Sequence, residues 1–134
     1  VHLHWRHILL VFVGGALGTS VRALISAAVP LVAGLPVATF GINVVGAFIL
    51  GMVLQSLANR GPDEGLRRDV RLFVGTGILG GFTTYSAFAV DADGLIAAQN
   101  LGGSILYAVA TIAVGAVASL AGIALAARLE RRAR

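Results

Sequence analysis

A chain of 134 residues with 57% hydrophobic and only 12% charged side chains carries about half the charge of a soluble domain, too little to cover a water-facing surface. Its length suits one domain, and the absence of cysteine excludes disulfides and thiolate metal sites. All ten basic residues are arginine and the formal charge is +4, yet they flank apolar stretches without forming a basic face, which sets a nucleic-acid partner aside.

The apolar stretches run, in chain order, over approximately residues 8–29, 37–58, 70–89 and 101–127. About 20 helical residues cross a hydrocarbon core of about 30 Å, so each is long enough to span a membrane. The first is too long for the apolar part of a signal peptide and is interrupted by Arg22. The fourth is long enough to require tilt or to project into water. Pro30 and Pro36 bracket the first connection, Gly61-Pro62-Asp63 opens the second, and residues 91–94 open the third. The sequence therefore predicts an all-α membrane protein, a single four-helix transmembrane domain over 1–134 with nothing left over for a soluble domain.

Four spans place both termini and the middle connection on one side. That side carries Arg6, then Arg60, Arg67, Arg68 and Arg71, then Arg128, Arg131, Arg132 and Arg134, nine arginines against none on the other. The positive-inside rule puts these segments in the cytoplasm.

Polar residues within spans are the functional candidates. They are Arg22, Asn43, the cluster Thr83, Thr84, Tyr85 and Ser86, and Tyr107 and Thr111. The middle of each span lacks Asp and Glu, which a proton-coupled cation exporter needs. Arginine, amide and hydroxyl donors suit an anion. Each candidate also has a plainer reading: Arg22 snorkels, Asn43 joins two helices, Tyr107 packs, and Thr111 bonds back to its own helix. His2, His4 and His7 have the look of a metal cluster but lack an acidic or thiolate partner.

The third span differs from the rest. From Gly75 to Phe88 it reads Gly-Thr-Gly-Ile-Leu-Gly-Gly-Phe-Thr-Thr-Tyr-Ser-Ala-Phe, with four glycines within seven residues and then four hydroxyl residues in a row. Each glycine costs a helix about 1 kcal/mol against alanine. The pattern predicts a broken helix, which a membrane tolerates where the unwound backbone is buried in protein or lines a cavity. Close packing through Gly77 and Gly81 accounts for glycines but not for Thr83 to Ser86. Gly14 with Gly18, Gly46 with Gly51, and Gly115 with Ser119 are further small pairs. A bundle this small leaves little room for a pore of its own, so an oligomer is expected.

Three segments resemble the Fluc (CrcB) fluoride channels: Gly14-Gly-Ala-Leu-Gly18 followed by Arg22; Thr39-Phe-Gly-Ile-Asn43-Val-Val-Gly46 ending at Gly51; and Gly77-Ile-Leu-Gly80-Gly-Phe-Thr83-Thr-Tyr-Ser-Ala-Phe88. Their order and spacing fit across essentially the whole chain. The resemblance implies an antiparallel dimer of four-helix subunits with two narrow pores. It also implies a structural, untransported sodium ion on the two-fold axis, held by carbonyls that here belong to Gly80 and Thr83. Tyr85 and Phe88 would turn ring edges into the pores, and Asn43 would line them. Ser86, Tyr107 and Thr111 would continue a polar track. The implied activity is passive export of fluoride across the plasma membrane: hydrogen fluoride enters, ionises, and leaves as the anion. Fluoride is strongly hydrated, so a dry pore must replace its water with hydroxyl and amide donors and the positive edges of aromatic rings.

The chain departs from the family at Tyr85, where the usual residue is Phe. Its charge bias is a second departure, because self-pairing in opposite orientations needs near-zero bias. An inverted paralogue is therefore the expected partner, with self-pairing as the alternative. The rival readings are a small multidrug-type exporter, which needs a carboxylate in the first span, and a structural membrane subunit, which leaves Asn43 and the third span unexplained. No nucleophile–base pair suggests an enzyme.

Overall fold

The computed structural model describes residues 4–134, which are helical outside short connections. The elements are α1 (Trp5–Ala28), α2 (Val37–Asn59), α3 (Gly65–Val70), a π-helical stretch (Arg71–Leu79), α4 (Gly80–Phe82), α5 (Tyr85–Ala97) and α6 (Leu101–Ala133). Among the described residues four helices are long and apolar enough to cross a membrane: α1, α2, the interrupted span Gly65–Ala97, and α6. His2 lies outside the described residues. The protein is an all-α, multi-pass membrane protein whose third span is broken.

Two helix pairs build the bundle. The first half of the third span lies along α1, and α6 lies along α2. Both crossings run through glycine. A Cβ on Gly18 would meet the backbone of Ile78, and one on Gly81 would meet the backbone of Gly15 and Thr19. On the other pair, a Cβ on Gly122 would meet the Phe48 carbonyl and one on Gly51 the Ser119 carbonyl. Lipid tails are as apolar as leucine, so close backbone approach holds helices together here. Gly46 meets the Thr83 methyl, while Gly115 faces open space.

The first connection is a tight turn closed by Leu35 N–H to the Val32 carbonyl at 2.9 Å, with Ala33 and Gly34 both at positive φ. The third connection is shorter than expected. Residues 91–94, read above as a loop, are helical within α5, which runs on to Ala97. The helix then stops in a Schellman motif: Gln99 takes φ +58°, Asn100 N–H bonds to the Leu95 carbonyl at 2.8 Å, and Gln99 N–H bonds to the Ile96 carbonyl at 2.9 Å. Asn100 at once caps α6, its side chain accepting from Gly103 N–H at 2.8 Å. One residue thus ends one span and begins the next, and no longer loop is needed.

The third and fourth spans also overrun their expected ends at 89 and 127. At about 1.5 Å per residue, the 33-residue α6 reaches about 50 Å, so its arginine-rich last turns stand beyond the hydrocarbon.

Candidate functional site

The break falls at Thr83 and Thr84, whose backbone is extended (φ −75°, ψ 154° and φ −149°, ψ 127°). Extended backbone cannot carry the i to i−4 ladder, so the freed groups must find other partners. Neighbouring side chains supply them. Asn43 on α2 donates from Nδ2 to the Thr84 carbonyl at 2.9 Å and accepts from Thr84 N–H at Oδ1 at 2.8 Å. On the α1 side, Arg22 Nε donates to the Gly81 carbonyl at 3.1 Å and Thr19 Oγ1 donates to the same oxygen at 3.3 Å. Arg22 is half-buried and tied to the break instead of reaching for the surface. Thr83 Oγ1 bonds back to the Leu79 carbonyl at 2.8 Å. Thr84 Oγ1 caps α5 by accepting from Ala87 N–H at 3.1 Å, and Ser86 Oγ lies 3.2 Å from it.

Two diversions matter for cation chemistry. The amide that would bond to Gly80 O in an unbroken helix is that of Thr84, and it bonds to Asn43 instead. The amide that would bond to Thr83 O is that of Ala87, and it bonds to Thr84 Oγ1 instead. Both carbonyls are released from helix bonding. Neutral oxygen donors of this kind suit an alkali cation, so the residues fit a sodium ion in kind. Two carbonyls are too few to hold one alone, and a second chain would have to supply the rest. Among the described residues no cluster of three or more His, Asp or Glu could hold a metal, and His4 packs edge-on against His7 with ring centroids 5.3 Å apart.

An open groove of about 400 Å³ lies beside the break. Asn43, Thr83, Thr84, Tyr85, Phe88 and Thr111 line it, with Ala47, Leu50 and Ile112 as its apolar wall. Thr111 bonds back to the Tyr107 carbonyl at 2.7 Å while still facing the groove. Three rings run inward from it. Tyr85 is 80% exposed, its ring centroid is 5.9 Å from that of Phe88, and Phe88 is 5.3 Å from buried Tyr107. Ser86 and Tyr107 do not line the groove. Tyr107 borders a separate apolar cavity of about 260 Å³ with Leu35, Pro36 and Phe40.

The sequence reading missed Asp91. Its Oδ2 is buried without a hydrogen-bond partner among the described residues, as is the hydroxyl of Tyr107. Asp91 follows Phe88 by three residues on α5 and so lies on the same side of that helix as the Phe88 ring. That spacing was the available signal, obscured because Asp-Ala-Asp-Gly has the composition of a turn.

Fold and site together define a small four-span membrane protein whose broken span presents amide, hydroxyl and aromatic groups to an open groove. The family described as CrcB-like protein, Camphor Resistance (CrcB), matches residues 9–123. A protein of Leifsonia xyli subsp. xyli, named Fluoride-specific ion channel FluC 2, is 74% identical over 132 residues, covering 98% of this chain and 91% of that protein. Fluoride-specific ion channel FluC 1 of Cutibacterium acnes is 48% identical over 119 residues, 88% of this chain and 82% of its own length. Fluoride-specific ion channel FluC of Deinococcus radiodurans is 42% identical over 121 residues, 87% of this chain and 91% of its own. The chain belongs to the CrcB-like family.

Proposed function

We propose that this chain is one subunit of a fluoride-selective channel that lets fluoride leave the cytoplasm passively across the plasma membrane. Near-full-length identity of 74% to a protein named as a fluoride-specific ion channel carries the reading. The groove supports it chemically, because the second Asn43 amide proton, the Thr84 hydroxyl and the Tyr85 and Phe88 rings border it, with no cationic side chain in its lining to trap an anion. Asn43, Tyr85, Phe88 and Thr111 would line the path, with Ser86 and Tyr107 extending it, and Arg22 would hold the break in shape. The chemistry is that of a channel and not of an enzyme.

The open groove supports a dimer as the working unit. A second subunit in the opposite orientation would close two such grooves and bring two sets of Gly80 and Thr83 carbonyls together around a structural sodium ion. The arginine bias supports cytoplasmic termini and favours an inverted paralogue over a second copy as the partner. The test is fluoride efflux from proteoliposomes, with chloride as control, with and without sodium, for this chain alone and with its paralogue. Fast, fluoride-selective, sodium-dependent flux is expected with a competent partner. Silence in both preparations would sink the channel reading.

A further inference from the structure

The connection between α2 and α3 carries a feature that ion conduction does not use. Three arginines converge on Pro62 and Asp63, each anchored through Nε. Arg67 Nε donates to the Pro62 carbonyl at 2.8 Å, Arg68 Nε to the Asp63 carbonyl at 3.0 Å, and Arg71 Nε to Asp63 Oδ1 at 2.9 Å. Arg71 Nη2 adds a bond to Asp63 Oδ2 at 2.8 Å. Among the described residues this leaves both terminal nitrogens of Arg67 and Arg68 and one of Arg71 without a protein hydrogen bond. The guanidinium groups are pre-positioned, which lowers the entropic cost of binding an anion.

The charges are poorly compensated. Asp63 is the carboxylate that faces them. Asp69 is engaged by Arg6 and approached by His7, and among the described residues exposed Glu64 forms no ion pair. Arg67 and Arg68 sit in the first turn of the helix that begins at Gly65, the end where the helix dipole disfavours cations, and Arg71 follows a turn later. Arg71 is paired with Asp63, and an anion on the free terminal nitrogens of Arg67 and Arg68 would complete the arrangement.

The surroundings specify the kind of anion. Arg67, Arg71, Asp63 and Gly61 edge a cavity of about 280 Å³ whose remaining walls are Leu54, Leu57 and Ala58. Leu66, next to Arg67, is 76% exposed. Guanidinium groups at the edge of a cavity walled by leucine and alanine are fitted to a ligand with a phosphate at one end and hydrocarbon at the other. We propose that this arginine cage binds the phosphate of an anionic phospholipid at the surface of the arginine-rich side. The proposal is independent of the channel reading.

The test uses the purified full chain in neutral detergent, with phosphatidylglycerol, phosphatidylcholine or inorganic phosphate added. Bound lipid is counted by native mass spectrometry and folding is followed by circular dichroism. Phosphatidylglycerol is expected to bind tightly to the natural chain and about a hundredfold more weakly to Arg67→Gln/Arg68→Gln, since each charge-assisted hydrogen bond to phosphate contributes about tenfold. Arg67→Lys/Arg68→Lys keeps the charge but loses the Nε anchor and the fork, so its binding should fall between the natural chain and the glutamine variant, which separates charge from geometry. Arg131→Gln/Arg132→Gln, at the far end of α6, should bind as the natural chain does. Equal loss in both glutamine variants would overturn the site in favour of diffuse attraction. Phosphatidylcholine binding as well as phosphatidylglycerol would overturn the headgroup assignment. Displacement by equimolar inorganic phosphate would reassign the cage to a soluble anion.

Discussion

Asn43 satisfies the break with one side chain, giving a proton to Thr84 O and taking one from Thr84 N–H. A residue that only offered a donor to a passing ion would be dispensable for folding. Asn43→Ala removes two hydrogen bonds and strands a backbone pair in an apolar bundle. At about 1 kcal/mol for each bond, a loss of about 2 kcal/mol is expected, measured by thermal unfolding in detergent. Asn43→Asp keeps the acceptor for Thr84 N–H but sets a carboxylate oxygen against the Thr84 carbonyl and a charge inside the bundle, so at neutral pH it should destabilise at least as much as Asn43→Ala. An unchanged unfolding midpoint in Asn43→Ala would confine the residue to the path. Tyr85 is the opposite case. Its ring is 80% exposed, and its hydroxyl has no hydrogen bond among the described residues. Tyr85→Phe should therefore leave both folding and fluoride flux unchanged, and a large change in flux would show that the phenol binds across the dimer interface.

At the scale of the helices, what could be read from the sequence divides along a physical line. Span positions were legible because lipid demands length and apolarity, which are local properties. The break was legible because glycines and hydroxyls accumulate where a helix would lose stability. The pairing of Asn43 with Thr84 was not, because it depends on how closely α2 approaches the third span. The π-helical stretch from Arg71 to Leu79 left no separate mark, since its glycines also serve packing against α1. Asp91 was lost to the wrong loop. That loop is short because Gln99 takes a left-handed conformation usually reserved for glycine. Gln99→Gly should relieve this strain and stabilise the protein by about 1 kcal/mol, visible as a higher unfolding midpoint. At the opposite end, Asp63 is held below the usual carboxylate range by its hydrogen bonds to Arg71, reinforced by the charges of Arg71 and Arg68. A depressed carboxylate stabilises the fold above its unfolded value, and that contribution disappears as pH falls through the lowered one. Acid titration of protease sensitivity in the 60–71 segment should show protection down through the ordinary carboxylate range and release only below it. In Asp63→Asn the acid-dependent step should vanish.

For the whole molecule, the distribution of buried and exposed polar groups argues for a second subunit. In the single chain Thr76, Gly80, Tyr85 and Ser86 all lie exposed on the third span. Hydroxyls and released carbonyls are costly against lipid, and none of the described residues covers them. Gly80 gives the sharpest test. A Cβ there would come no closer than 4.0 Å to any atom outside its own helical backbone, and the residue has ordinary helical geometry (φ −64°, ψ −37°). Packing within one chain therefore does not require glycine at this position. Gly80→Ala should leave the isolated subunit as stable as before, or more stable by about 1 kcal/mol through helix propensity. If the Gly80 face is where two subunits meet around sodium, the same methyl group would stand in the interface. The dimer fraction, followed by single-molecule photobleaching in lipid, should then fall sharply and the sodium dependence of flux should weaken. A variant that folds, dimerises and conducts as the natural chain does would place the two-fold axis elsewhere. The methyl thus separates the demands of one chain from those of the assembly, because only the assembly has a reason to exclude it.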